Sequence, residues 1–341
     1  TPTVEFEVTA PGGPVFAAVS VPVSGKPAWA PDGVALTKDS SGKWRGSLPS
    51  STPIEWKATR GSWSTVEKTA SMAEVKNRSA QAGTTAQVSV ARWADEKSEL
   101  HDLGDFTPSR LGTPRKVVVR VPLGYAVRTD ETYPVLVVLD GQNVFDPSRS
   151  FGGVSWRLDL AAEAHDKAGR APFIAVAIDN TNARIDEYTP SRDPSYGGGR
   201  LEDFAAFVLD ELLPEIARRY RAKTGPDDTG MLGSSLGGLA SFHVGWKHSD
   251  RVRRVGAVSP SFWWNNQETR ALVAGTASQP PVKLWIDIGT QEGGNPQSTL
   301  TNTRAVANLI PTAKYTEISG GQHNEAWWAA RLPDVLAYLF P

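Results

Sequence analysis

Cysteine is absent from all 341 residues, which excludes thiol nucleophiles, thiolate metal sites and disulfide staples together. An excess of either charge is also missing, since 36 Lys+Arg stand against 37 Asp+Glu for a net charge of -1. The chain therefore has neither the basic footprint of a nucleic-acid binder nor an acidic tail, and no nucleic-acid partner is expected. No apolar run approaches the ~20 residues that a membrane span requires. The opening residues Thr1-Pro2-Thr3-Val4-Glu5 lack the basic and apolar regions of a signal peptide. A soluble chain is expected, with export and removal of a signal peptide as the favoured reading and a cytoplasmic location as the alternative. Histidine is scarce, and His101, His165, His243, His248 and His323 are the only five, so the search for a general base is short.

What is present centres on Met231 to Ala240, which contains Gly233-x-Ser235-x-Gly237. This spacing puts a serine on a sharp turn between a strand and a helix with its hydroxyl exposed, and the turn is so tight that flanking side chains would collide. The context fits: Asp227-Asp228-Thr229-Gly230 reads as a turn before a short apolar strand, and Leu239 to His248 reads as a helix after the serine. Ser235 is the candidate nucleophile.

Residues 1 to 95 carry short alternating runs separated by Gly, Pro, Ser and Asp clusters, the pattern of a small antiparallel β-sandwich. The segment from Trp93 to Pro114 reads as a junction. From Lys116 onward, continuous apolar strands (117–121, 135–139, 173–178, 230–232, 255–258, 282–288, 315–318) alternate with helices such as 158–168 and 201–220. Strands apolar on both faces and alternating with helices predict an α/β fold with a mostly parallel central sheet over residues 96 to 341.

Of the histidines, only His323 follows the last strand, in Gly320-Gly321-Gln322-His323-Asn324-Glu325, where a loop can curl over the carboxyl edge of the sheet. It is the candidate base. The residue that orients it should lie between serine and histidine in the chain. Asp287 lies inside the strand and Glu292 on the loop beyond its carboxyl end. That position favours Glu292, with Asp287 as the alternative. An oxyanion hole needs two backbone N–H groups. Leu236, next to the nucleophile, supplies one, and Gln142 in Leu139-Asp140-Gly141-Gln142-Asn143 is the candidate for the other, which holds Asp140 near the pocket.

Leu139-Asp140-Gly141-Gln142, Glu187-Tyr188-Thr189-Pro190, Gly233 to Gly238, Ser259 to Trp264, and Gly320 to Glu325 with Trp327 or Trp328 following together resemble the putative-esterase family of α/β-hydrolases. That family includes enterochelin esterases, feruloyl esterases and mycolyltransferases, and the enterochelin-esterase branch looks nearest. The resemblance implies a cofactor-free serine esterase with Ser235, His323 and Glu292 as its triad and Gln142 and Leu236 as oxyanion donors. Arg184, Glu187 and Tyr188 after one strand, and Phe262, Trp263 and Trp264 after another, are expected at the mouth of the pocket as substrate-binding residues. Gln322, between Gly321 and His323, departs from the commoner Gly-Gly-His.

In the first 90 residues, Trp29, Gly42-Lys43-Trp44, Ile54-Glu55-Trp56-Lys57, Trp63, Glu67 and Asn77-Arg78 resemble starch-binding-type carbohydrate-binding modules. This implies a glycan as a candidate partner, beside the plainer reading of a domain that shapes the cleft. Three classes of function follow: a carboxylic-ester hydrolase acting on an aryl, acyl, siderophore or carbohydrate ester; an acyltransferase to a sugar; and a non-catalytic glycan-binding protein with a hydrolase fold.

Overall fold

The computed structural model describes residues 1–341. They form two compact units, residues 1–98 with 123–131 and 167–169, and residues 99–122, 132–166 and 170–341.

The first unit is a seven-stranded sheet in the order Arg78–Ala80, Ile54–Thr59, Val15–Val19, Val34–Lys38, Trp44–Pro49, Thr3–Thr9, Thr85–Ser89. Alternation along Thr3–Thr9 turns Val4, Phe6 and Val8 inward. Phe6 and Trp56 come from strands four places apart in that order, yet their rings meet edge-on at 4.9 Å, so the sheet curls over a single apolar core. Neighbouring strands run antiparallel except Thr3–Thr9 against Thr85–Ser89, which is parallel and departs from the all-antiparallel expectation.

The second unit is an α/β fold around eight strands, β1 (Glu99–Phe106), β2 (Arg115–Val121), β3 (Val135–Leu139), β4 (Ile174–Ile178), β5 (Thr229–Ser234), β6 (Arg254–Val258), β7 (Lys283–Gly289) and β8 (Lys314–Ile318), in the order β1-β2-β4-β3-β5-β6-β7-β8. The three strands at the β1 edge pair antiparallel and all later pairs are parallel. Strands β3 and β4 are buried at every position, as a sheet covered on both faces demands. Strand β1 falls within the segment read from sequence as a junction. Its half-buried, charge-bearing pattern in Glu-Leu-His-Asp-Leu-Gly-Asp-Phe is that of an edge strand, which period and hydropathy barely mark.

The expected single helix over 201–220 is three pieces: Leu201–Ala206, a π-helical stretch Phe207–Leu212, and Leu213–Arg219. Pro214 lies just past the π-helical stretch, and its missing N–H and ring clash disfavour an uninterrupted α ladder there. Strand β3 lies between β4 and β5, so the chain reverses direction across the sheet at this point. Loops leaving the carboxyl ends of β3 and β5 therefore open a crevice beside each other.

Candidate active site

Strand β5 is buried throughout and ends at Ser234. Ser235 then adopts φ 58°, ψ -122°, and the helix Leu236–Lys247 starts at the next residue. A non-glycine residue held there is strained, and its neighbours explain how the turn closes: a Cβ on Gly233 would lie 2.5 Å from the carbonyl carbon of Gly237. The Ser235 amide donates to the Val258 carbonyl at 3.0 Å, which ties the turn to β6.

His323 Nε2 lies 2.9 Å from Ser235 Oγ, and His323 Nδ1 lies 2.9 Å from Glu292 Oε2. With Glu292 ionised, Nδ1 carries the proton and Nε2 is left to accept from the serine hydroxyl. The imidazole stands edge-on to Trp328 at 4.8 Å, and the indole fixes the plane of the ring. Ser261 Oγ is 3.4 Å from Ser235 Oγ.

The two competing carboxylates separate cleanly. Glu292 faces His323 and is itself buried. Its second oxygen, Oε1, accepts from Ser259 Oγ at 2.6 Å, the Gly289 amide at 2.7 Å and Arg331 Nη2 at 3.2 Å. Burial acts to raise its pKa, but the hydrogen bonds from His323, Ser259 and Gly289 outweigh it and hold the carboxyl below its ordinary value. Asp287 does not reach the histidine. It accepts from Arg331 Nη1 at 2.7 Å, Trp285 Nε1 at 2.8 Å and the Ser259 amide at 3.0 Å. Burial pushes it above its ordinary value, with Arg331, Trp285 and Ser259 pulling the other way.

After β3, Asp140 has φ 57° and Gly141–Asn143 form one 3-10 turn. The Gln142 amide lies in the first turn of this element and that of Leu236 opens its own helix, positions whose N–H groups have no acceptor within the helix. A Cβ on Gly141 would lie 2.6 Å from the Ile178 carbonyl carbon, so only glycine lets this loop cross the end of β4. Asp140 accepts from Arg184 Nε at 2.7 Å and Nη2 at 2.8 Å, and also from the Asn180 side-chain amide. A cavity of about 390 Å³ is lined by Asp140, Gln142, Asn143, Phe151, Asn180, Arg184, Ser234, Ser235, His323, Glu325 and Trp328.

Five residues expected at the mouth of the pocket lie elsewhere. Glu187 is buried in an ion pair with Arg115. Tyr188 is fully buried with its hydroxyl accepting from the Asp140 amide, so it props the loop and does not meet solvent. Phe262 and Trp264 are 1% exposed and pack on Phe242 and Tyr196. Large aromatics after a strand are as apt for packing as for contact, and here packing prevails. Trp263 is 41% exposed but lies beside Tyr196, outside the cavity lining. Sequence reasoning missed Ser259, Arg331, Phe151, Asn180 and Glu325. Ser259 lay inside a quoted motif without a role. Arg331 follows His323 by two turns of helix and leaves no local signal. No group of three or more His, Asp and Glu side chains is placed to hold a metal ion.

The sequence pattern of the family described as Putative esterase matches residues 109–339. An uncharacterized protein of Bacillus subtilis, YbbA, is 24% identical over 258 residues, 70% of this chain and 96% of that one. An iron(III) enterobactin esterase of Dickeya dadantii is 36% identical over 137 residues, which cover 39% of this chain and only 27% of that protein. Among solved structures, the enterobactin esterase FES of Shigella flexneri, determined in the presence of enterobactin, superposes with a TM-score of 0.58 at 16% identity and covers 96% of this chain and 88% of that one.

Proposed function

This chain belongs to the putative esterase family, and on that premise we propose that it is a serine carboxylic-ester hydrolase that works through an acyl-enzyme. The observation that carries the reading is the relay Ser235–His323–Glu292, with two contacts of 2.9 Å, at a strained turn between strand and helix. His323 takes the Ser235 proton as Oγ attacks the ester carbonyl, and Glu292 stabilises the imidazolium that forms. The Gln142 and Leu236 amides receive the developing oxyanion, and loss of one such donor typically costs about 10²- to 10³-fold in turnover. His323 then returns the proton to the departing alcohol, and water repeats the sequence on the acyl-serine. The substrate is an aryl or acyl ester of a small molecule, a siderophore or a carbohydrate, and the enterobactin esterases among the relatives make the siderophore a natural member of a test panel. The test is active-site titration with a p-nitrophenyl ester. One nitrophenolate released per chain in a rapid phase, lost in Ser235→Ala, supports the acyl-enzyme; no release from the native chain ends the reading. Added sugars that divert the acyl group from water would make the protein an acyltransferase.

A second reading concerns the first unit. Trp29, Lys57, Trp63 and Asn77 line an open cavity of about 290 Å³, and Trp63 is 44% exposed. We propose that this face takes a glycan, with the indoles against the apolar face of a sugar and Lys57 and Asn77 on its hydroxyls. Trp56 is fully buried and Trp44 half-buried, so neither belongs to that face. Retention on insoluble starch, lost in Trp63→Ala, is the measurement; passage of the native chain through starch without delay overturns it.

A further inference from the structure

The cavity beside Ser235 has one cationic side chain, and it is already occupied. Both oxygens of Asp140 take the Arg184 fork through Nε and Nη2. Burial acts to lower the Arg184 pKa, but Asp140 and, more weakly, Glu325 hold it above its ordinary value. A guanidinium that recognises an anion offers this same fork to the ligand; here a protein carboxylate has it. Counting Asp140, Glu325 and Arg184, the lining is left with one net negative charge, and the ionised Glu292 stands behind His323. The nearby segment that carries Phe151 adds no free cation, since Arg149 is paired with Asp179 and Arg157 with Asp159. What remains for a ligand carries no uncompensated positive charge: Arg184 Nη1 bonds to no protein group but belongs to a guanidinium already neutralised by Asp140, Asn143 and Asn180 line the wall, and Phe151 is 79% exposed on the lip.

We infer that this cavity selects esters that are uncharged around the scissile bond and discriminates against polyanionic ones, a ferric tris-catecholate with its three negative charges included. The inference rests on the hydrolase reading and narrows its substrate class. Phe151 provides an apolar wall for the acyl or aryl group, while Arg184 Nη1 and the two asparagines can hydrogen-bond neutral carbonyl or hydroxyl oxygens without a counter-charge. An anion entering the same space meets the charge of Glu325 with no unpaired cation to receive it.

The experiment compares 4-acetoxybenzamide with 4-acetoxybenzoate, aryl acetates of nearly equal size that differ by one negative charge, each normalised to its own rate of hydroxide hydrolysis. The full-length chain should prefer the amide by on the order of tenfold in kcat/KM, chiefly through KM. Glu325→Gln, and separately a rise in salt, should narrow that ratio. Parity, a preference for the carboxylate, or a ratio that neither Glu325→Gln nor salt moves would overturn the inference while leaving an esterase in hand. Turnover of neither ester, together with no labelling of Ser235 by a fluorophosphonate, would remove the hydrolase reading and this inference with it.

Discussion

The two ends of the central sheet each hold a cavity, about 390 Å³ at the carboxyl end and about 280 Å³ beside the start of β3 and β5. They differ in what the backbone does around them. At the carboxyl end three non-glycine residues follow directly on strands with positive φ: Asp140 after β3 at 57°, Ser235 after β5 at 58° and Ser259 after β6 at 41°. At the other end Val135, Leu213, Pro214, Ala217, Ala222, Lys223, Thr224, Thr229 and Arg251 line the space without one such residue and without a carboxylate. Volume alone therefore does not mark a site. Each strained residue at the carboxyl end holds a side chain that meets others: Asp140 anchors Arg184, Ser235 meets His323, and Ser259 meets Glu292. Strain of this kind persists only where the surroundings over-determine it.

Ser235→Ala should separate the two ends of the sheet most strongly. If the carboxyl end is the reactive one, this change should cost on the order of 10⁴-fold or more in kcat, with an unchanged circular dichroism spectrum. Ester turnover within tenfold of the native chain would leave the proposed nucleophile without support.

Next come the two carboxylates beneath His323. Glu292→Gln should lower kcat by about 10²- to 10⁴-fold, because an amide can no longer hold the imidazolium and can fix the wrong tautomer. Asp287→Asn should act on stability instead. It takes from the buried Arg331 the nearer of its two carboxylate partners and leaves only Glu292, a loss on the order of 1–3 kcal/mol, read as a lower midpoint in urea. The opposite pattern, with Asp287→Asn abolishing turnover and Glu292→Gln merely less stable, would exchange their roles.

How much of this end could be read from the chain follows from how local each signal is. Ser235 and His323 announce themselves through glycines that the turn and the loop need, and Glu292 through its place beyond the end of a strand. Arg331 and Ser259 meet Glu292 only after β6, β7 and the final helix have packed together, and nothing in the local pattern reports a contact made across 39 residues of chain. Phe262 and Trp264 failed for the converse reason: composition shows an aromatic, while exposure is decided by neighbours such as Phe242 and Tyr196. The edge strand β1 was hidden because half of an edge is wet, and its charges read as a linker.

A smaller effect is expected from acid. The Glu292 pKa lies below its ordinary value in the folded chain, so the folded state binds this proton less readily than the unfolded state. Its contribution to stability is fully present above the ordinary carboxylate pKa and is lost as pH falls through the lower folded value. The stability difference between the native chain and Glu292→Gln should then shrink as pH falls below the ordinary carboxylate range. Denaturant titrations at stepped pH measure this; a difference that grows on acidification below that range would contradict the assigned direction.

The smallest effect should come from the amino end of the sheet. Ala217 is half-buried in the helix Leu213–Arg219 and faces the second cavity. Leucine is nearly as good a helix former as alanine, and its added carbons have open space to fill. Ala217→Leu should therefore change stability by less than about 1 kcal/mol, in the favourable direction where the fit is good. If that cavity is only a packing gap, kcat/KM on the same ester should stay within about twofold, because no strained residue or carboxylate there takes part in the relay. A loss of tenfold or more with folding intact would mean that ligand, or a motion needed for turnover, uses the amino end as well. The contrast between the two ends would then rest on strain alone and no longer on function.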